Sequence, residues 1–228
     1  MAKQEFLSHS EENYLKVIFQ LAGQERLKVS TNALADKLCA KPSSITDMLK
    51  KLSDKKLISY KKYQGCGLTV KGEVIAIQII RKHRLWETFL VSKLSFGWEE
   101  VHDVAEQLEH IQSIKLIDKL DEFLDFPKFD PHGDPIPDRA GNITYRKSKI
   151  KLAEAAINAV VEVVSVDEDS PSLLKYLDEI GLRLGSRIKI FERIPFDSSL
   201  KVEIVGVQKM YMSEKVAENI GVRFIEKL

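Results

Sequence analysis

Residues 41–69 read KPSSITDMLKKLSDKKLISYKKYQGCGLT, and this stretch decides the fold class of the first part of the chain. Its first half carries apolar residues at helical spacing behind Pro42, which suits the first turn of a helix because its missing N–H needs no partner there. Its second half holds two short alternating segments around a glycine-containing turn, which predicts a β-hairpin.

Two more helices are predicted upstream of this stretch. An amphipathic run opens at Ser10 and stops at Gly23, and Ser30 is placed to cap a short second helix. Three helices followed by a hairpin is the layout of a winged helix-turn-helix, so residues 1–72 are predicted to be a DNA-binding domain. The second helix of such a motif enters the major groove of DNA with its N-terminal side chains towards the bases.

The candidate DNA-contacting residues lie along the third helix and in the hairpin. Short hydroxyls can approach bases and phosphates closely, and lysines can meet the phosphate backbone. Seven lysines and two aspartates lie between residues 41 and 62. A solvated lysine-rich face is the alternative interpretation, and the order of helices and hairpin favours DNA. The candidates are Lys41, Pro42, Ser43, Ser44, Thr46, Asp47, Lys50, Lys51, Lys61 and Lys62.

The rest of the chain divides into a helical and a β-rich region. A long helix is expected over 70–94, with others over 99–111 and 113–124, and a proline-rich loop over 125–149 marks a boundary. Short β segments are predicted at 159–166, 187–192, 201–207 and 222–226, with a helix over 173–180, which fits a small SH3-like barrel. The predicted fold class is mainly α with small β parts.

Charge is segregated although the chain of 228 residues has a net charge of only +1. Residues 1–72 hold 13 basic and 7 acidic side chains, whereas residues 73–140 hold 8 and 14. This pattern indicates a polyanion-binding region beside a cation-binding one. We find neither an apolar run long enough to span a membrane nor an apolar signal segment at the start, so we expect a cytoplasmic protein.

Histidines and carboxylates recur at helical spacing in the acidic region. Two of them are four residues apart in the long helix and share one face. Four more fall within a sector of about 100° if 99–111 is a single helix. Imidazole and carboxylate groups that converge in this way are ligands for transition metals. The six candidates are His83, Glu87, His102, Glu106, Glu109 and His110.

Two other classes of protein remain open at this point. A metallohydrolase would use the same cluster, but HExxH is absent, and an HxxEH motif ending at His110 would need a histidine where Glu106 stands. GxSxG, Walker A and GxGxxG motifs are also absent, so we expect no enzyme. A metal-independent winged-helix protein would treat residues 83–110 as ordinary surface.

Four motifs make the chain closely resemble the DtxR/MntR family of metal-dependent transcriptional repressors: RKHRLWE (81–87), VHDVAEQLEHI (101–111), KPSSIT (41–46) and HGDPIP (132–137). The resemblance covers essentially the whole chain. It implies a winged helix over 1–72, a helical dimerisation and metal-binding domain over 73–140, and a linker with an SH3-like (FeoA-like) domain over 141–228. It also implies a homodimer, without membrane attachment, that represses metal-homeostasis genes by binding a palindromic operator in double-stranded DNA when Mn(II) or Fe(II) is present.

The resemblance implies two metal sites. The ancillary site matches His83, Glu87 and His102, and the primary site matches Glu106, Glu109, His110 and Asn13. Iron-type members have Met at position 13 and Cys at 106, whereas manganese-type members have Asp at 13 and a further Glu where this chain has Lys16. Asp47 stands where better-known members have Gln or Lys. Glu168, Asp169 and Ser170 match an SH3-domain contribution only loosely.

The choice of metal follows from the hardness of the ligands. Two glutamates, a histidine and an amide oxygen, without a thiolate or thioether, suit Mn(II) or Fe(II), and we favour Mn(II). Zn(II), Co(II) or Ni(II) is expected to substitute in vitro, because raw affinity follows the Irving–Williams order.

Overall fold

The computed structural model describes residues 7–146, 149–167 and 170–225. The helices are α1 His9–Ala22, α2 Thr31–Lys37, α3 Pro42–Asp54, α4 Val70–Leu94, α5 Val101–Leu108, α6 Ile114–Phe123, α7 Pro171–Glu179 and α8 Glu214–Glu218. The strands are β1 Ile58–Lys61, β2 Gly65–Leu68, β3 Ile150–Lys151, β4 Val160–Val166, β5 Arg187–Arg193, β6 Leu200–Ile204, β7 Gln208–Met212 and β8 Ile220–Phe224. No helix among the described residues is long and apolar enough to cross a membrane.

The chain forms two compact units. The first comprises Met1–His83, Gln107–Ile114 and Pro137–Asn142, and the second comprises Arg84–Glu106, Lys115–Ile136 and Ile143–Leu228. The 25-residue helix α4 has the bounds that its periodicity predicts, and it contributes residues to both units.

The helices of the first unit begin at strong capping residues. Ser8 caps α1 by accepting the N–H of Glu11, whose carboxylate accepts the N–H of Ser8 in return, and this reciprocal pair is a capping box. Ser30 caps α2, and Pro42 takes the first position of α3. The three predicted helices are therefore confirmed, with α1 beginning one residue earlier than expected.

A single hydrophobic core joins α1, α2, α3 and the hairpin. Leu15, Leu34 and Leu49 are fully buried in it, together with Cys66 of β2. β1 and β2 pair in antiparallel register, and Cys66 also pairs with Val29, the residue before the α2 cap. The hairpin is thus fixed to the helices as a wing, which confirms the winged helix-turn-helix.

Helix α5 is shorter than expected. It ends at Leu108, and residues 109–110 form a turn rather than the last residues of a helix. The expected single helical face therefore includes His102 and Glu106 but not Glu109 and His110.

The second unit contains two hydrophobic clusters. The smaller one packs Leu85 of α4 with Ile117 and Leu120 of α6. The larger one lies in the C-terminal sheet, an antiparallel sheet in the order β3-β8-β4-β5-β6-β7, with α7 packed against it through Leu174 and Leu177. Its strands confirm the SH3-like fold class.

The sheet differs from the expected pattern at β6, β7 and α8. The segment predicted over 201–207 ends at Ile204, because Gly206 turns the chain at a φ of +81° into β7. β7 is an edge strand in which only Met212 is buried, so its sequence lacks the alternation that marks a strand. The five-residue α8, capped by Ser213, was also not expected.

Candidate metal centre and nucleic-acid interface

Glu109 is the most deeply buried acid of the first unit. Its two carboxylate oxygens lie 2.7 and 2.8 Å from the Lys16 ammonium of α1, and Oε2 also accepts a hydrogen bond from His83 Nδ1 at 2.6 Å. Burial would raise the pKa of this carboxyl group, but the His83 hydrogen bond and the Lys16 charge lower it below the ordinary value. Glu109 is therefore held as a carboxylate in the protein interior.

His110 follows directly and is also held by α1. Its Nδ1 lies 2.5 Å from Glu12 Oε2, and Gln112 donates to the other oxygen of Glu12 at 3.0 Å. The imidazole stacks on His9 with ring centroids 4.1 Å apart. Because a carboxylate can only accept, Nδ1 carries the proton, and Nε2, which is 4.0 Å from Glu109 Oε1, is the nitrogen available to a metal.

A second group of ligands lies in the second unit. Glu87 Oε1 is 3.3 Å from His102 Nδ1 and 3.8 Å from His132 Nδ1. One ligand atom each of Glu87, Asp130 and His132 lie within 4.8 Å of one another. His132 Nε2 is buried and has no hydrogen-bond partner among the described residues. These groups can converge on one cation.

Asp130 is placed by the loop HGDPIP and its flanks. The N–H groups of His132 and Asp134 both donate to its Oδ1 at 2.9 Å, and Arg84 Nε lies 3.4 Å from its Oδ2. Burial and the neighbouring Glu87 raise the pKa of Asp130 well above its usual range, while Arg84 acts in the opposite direction. Carboxylates crowded in this way gain from a divalent cation, which offsets their mutual repulsion.

Gly133 fixes the same loop to strand β4. Its φ is +88°, and a Cβ added there would lie 2.1 Å from the carbonyl oxygen of Val164. The N–H of Val166 donates to the carbonyl of His132 at 2.9 Å. Only glycine fits at this position, so the backbone contact with β4 sets where Asp130 and His132 stand.

The expected ligands are thus found in two groups. His83, Glu109 and His110 come together in the first unit, where Asn13 lies half-buried on α1; Glu87 and His102 come together in the second, where Glu106 lies half-buried on α5. Glu12, Lys16, Asp130 and His132 are functional candidates that the sequence stage missed. The HGDPIP motif was a signal for the last two. Glu168 and Asp169 lie outside the described residues.

The expected DNA-contacting residues form one exposed surface of α3 and the wing. Ile45, Leu49 and Leu52 turn towards the core, so the opposite side of α3 faces solvent. Exposed on it and on the wing are Lys41, Pro42, Ser43, Ser44, Asp47, Lys50, Lys51, Lys61 and Lys62, with Thr46 half-buried. The Thr46 hydroxyl donates to the Pro42 carbonyl at 2.9 Å, and Lys50 pairs with Asp47 at 3.3 Å.

The acid of α1 next to Glu12 contacts α3. Glu11 lies 2.8 Å from the Lys55 ammonium and 3.3 Å from that of Lys51. Burial would raise the pKa of Glu11, but hydrogen bonds from Lys55, the Ser8 backbone and Lys51 lower it to about 2. Two consecutive acids of α1 therefore hold α3 on one side and His110 on the other.

The donor set fits a transition metal of intermediate hardness. It consists of carboxylate oxygens and imidazole nitrogens, and the groups described here include no cysteine, since Cys66 is buried in the wing core and Cys39 is exposed after α2. Oxygen and nitrogen ligands without thiolate suit Mn(II) and Fe(II).

Three family models match this chain. They are described as the iron-dependent repressor N-terminal DNA-binding domain (residues 6–66), the iron-dependent repressor metal-binding and dimerisation domain (69–138), and the FeoA domain (150–224).

Among curated relatives, the transcriptional regulator MntR of Oceanobacillus iheyensis is 32% identical over 121 residues, which is 53% of this chain and 81% of MntR. A probable metal transport system membrane protein of Chlamydia trachomatis is 43% identical over 88 residues, which is 39% of this chain and 19% of that protein.

Solved structures match over nearly the whole chain. A manganese-dependent transcriptional repressor in complex with manganese is 33% identical with a TM-score of 0.84, covering 94% of this chain and 100% of the other. ScaR with bound Zn²⁺ is 34% identical with a TM-score of 0.75, covering 94% and 99%.

Proposed function

The chain belongs to the DtxR/MntR family of iron- and manganese-dependent repressors, and from that premise we propose that it is a metal-ion-activated transcriptional repressor of metal-homeostasis genes. Its effector is Mn(II) or Fe(II), in line with the descriptions of its relatives, and Zn(II) substitutes, as in the zinc-bound ScaR structure. Its partners are double-stranded operator DNA and a second copy of the chain, as the dimerisation-domain match supports.

The proposed metal ligands are His83, Glu87, His102, Glu106, Glu109, His110 and Asn13, to which the second unit adds Asp130 and His132. Support comes from the contacts of His83 and His110 with Glu109 and from the grouping of Glu87, Asp130 and His132. Glu12 orients His110 and need not ligate. A bound metal supplies the positive charge that these carboxylates lack.

The remaining parts of the proposal concern organisation. We keep the division into a DNA-binding domain over 1–72, a dimerisation and metal-binding domain over 73–140 and an SH3-like domain over 141–228. The DNA-contacting residues are the exposed set on α3 and the wing. The protein works in the cytoplasm and catalyses no reaction.

One observation carries the coupling between metal and DNA. Glu11 and Glu12 are consecutive on α1, and they contact Lys51 and Lys55 of the recognition helix and His110 of the metal centre, respectively. A change in the position of His110 is therefore passed to α3 through one rigid helix. Metal and DNA must then tighten each other's binding by the same factor.

The test is operator binding by metal-free protein at fixed salt, titrated anaerobically with Mn(II) and then Fe(II). Fixed salt is needed because phosphate contacts make the affinity steeply dependent on ionic strength. DNA upstream of the organism's own metal-uptake genes is the probe. We expect tight binding only with metal, and the lower activating concentration identifies the effector.

Variants at the centre complete the test. Glu106→Ala and His110→Ala should keep the fold and lose metal-dependent binding, whereas Glu25→Ala, an exposed acid after α1, should behave as wild type. Equal operator binding in chelator and in metal would identify a metal-independent DNA-binding protein instead.

A further inference from the structure

Lys16 is a buried cation that already occupies the carboxylate of the metal centre. Its residue surface is 4% exposed, and its ammonium contacts both oxygens of the fully buried Glu109 at 2.7 and 2.8 Å. A carboxylate bound by a divalent metal uses the same oxygen lone pairs. The ammonium and a metal ion are therefore alternative partners for Glu109.

The charges around this pair balance without a metal. Glu12 and Lys16 are four residues apart on α1 and lie on one face of the helix. The partly buried ammonium of Lys82 lies within electrostatic reach of both Glu12 and Glu109. Two carboxylates thus face two ammonium groups, so a divalent cation at Glu109 brings excess positive charge into the protein interior, where charge repulsion is poorly screened.

We propose that Lys16 is an internal competitor for the metal and a determinant of the metal concentration at which the protein is activated. This inference rests on the proposed function, because it concerns the same centre. Metal binding at Glu109 requires the Lys16 ammonium to leave one or both oxygens. Removing that ammonium should therefore tighten metal binding, although it removes an ion pair that stabilises the metal-free fold.

The two roles of Lys16 predict changes of opposite sign, which makes the test sharp. In Lys16→Met, the melting temperature in chelator should fall, because Glu109 loses its buried counter-charge. The affinity for Mn(II), measured without DNA by competition with a chromophoric chelator, should rise about 10- to 100-fold, the usual size of a coupling between two sites. A lysine with only a structural role would lower the first quantity and leave the second unchanged or weaker.

Lys55→Met is the matched control. Lys55 also pairs with a buried glutamate of α1, at 2.8 Å from Glu11, but it does not contact Glu109 in the described contacts. It should lower the melting temperature without raising the affinity for Mn(II). Lys16→Gln, which keeps a hydrogen-bond donor for Glu109, provides the same comparison where the Met variant does not fold.

Two negative results have different meanings. Mn(II) affinity in Lys16→Met and Lys16→Gln that equals or falls below wild type overturns the inference and leaves the repressor proposal intact. Failure of the wild-type protein to bind Mn(II) at all overturns the proposed function and the inference with it.

Discussion

The lysines of the wing offer a quantitative test of how the protein meets DNA. Lys61 and Lys62 are exposed at the end of β1 and in the turn that follows, beside the 91% exposed Tyr63. If every exposed lysine of α3 and the wing neutralises one phosphate, the five in each subunit of a dimer give about ten contacts. The logarithm of the affinity then falls with the logarithm of the salt concentration with a slope of about −9.

Replacing both wing lysines by alanine removes about four of these contacts from a dimer. The slope should change to about −5, so that raising the salt from about 50 to 200 mM costs the wild type roughly 10⁵-fold in affinity and the variant only roughly 10³-fold. The Asp47–Lys50 and Glu11–Lys51 contacts make these slopes upper limits. Fluorescence anisotropy with labelled operator at saturating Mn(II) measures both values.

A control with the same loss of charge separates phosphate contact from net charge. Lys175→Ala/Lys215→Ala removes two exposed lysines from α7 and α8 of the second unit. Its slope should equal that of the wild type. A wing variant with an unchanged slope, or a control variant with an equal decrease, would refute the placement of the wing against the phosphate backbone.

Three other substitutions test parts of the structure. Glu12→Ala should weaken Mn(II) binding about 10- to 100-fold, because the imidazole it orients becomes mobile; unchanged affinity in a chelator competition contradicts that role. Gly133→Ala should lower the free energy of unfolding in urea by about 2–4 kcal/mol, because its Cβ meets a backbone oxygen. Gly185→Ala, with a similar φ of +84° and open space around it, should cost only about 1 kcal/mol, and equal losses would exclude a steric cause. Burial acts to raise the pKa of Asp167, but two neighbouring lysines lower it overall; its stabilising effect is therefore present above about pH 4 and lost on acidification. Asp167→Asn should show a smaller fall in melting temperature between about pH 7 and 3 than the wild type, and identical curves contradict the assignment.

Local signals in the sequence were sufficient for most elements. The start of α3 at Pro42, the cap of α2 at Ser30 and both ends of α4 depend on neighbouring residues and helical periodicity, and they were predicted correctly. β7 was missed because an edge strand need not bury alternate side chains. The SH3-like class was still recognisable from the strands in the interior of the sheet.

The candidate site was predictable only where its residues stand at helical spacing. Glu87 and His102 belong to such patterns, and their side chains lie 3.3 Å apart. Lys16 is 93 residues from the acid it contacts, so no local pattern announces the pair. Asp130 and His132 lie in a proline-rich loop whose position depends on a backbone contact with β4, which sequence spacing does not encode.

The composition of the first unit has a consequence for biosynthesis. Its helices α1–α3 and the wing are complete by residue 68, but the acid that pairs with Lys16 and the histidine that pairs with Glu12 are 93 and 98 residues away from their partners. At roughly 5–20 residues per second, a ribosome adds these segments about 5–20 s later. During that interval the nascent DNA-reading helix is folded without the contacts that join it to the effector site, so each new molecule acquires its DNA-binding surface before its means of sensing metal.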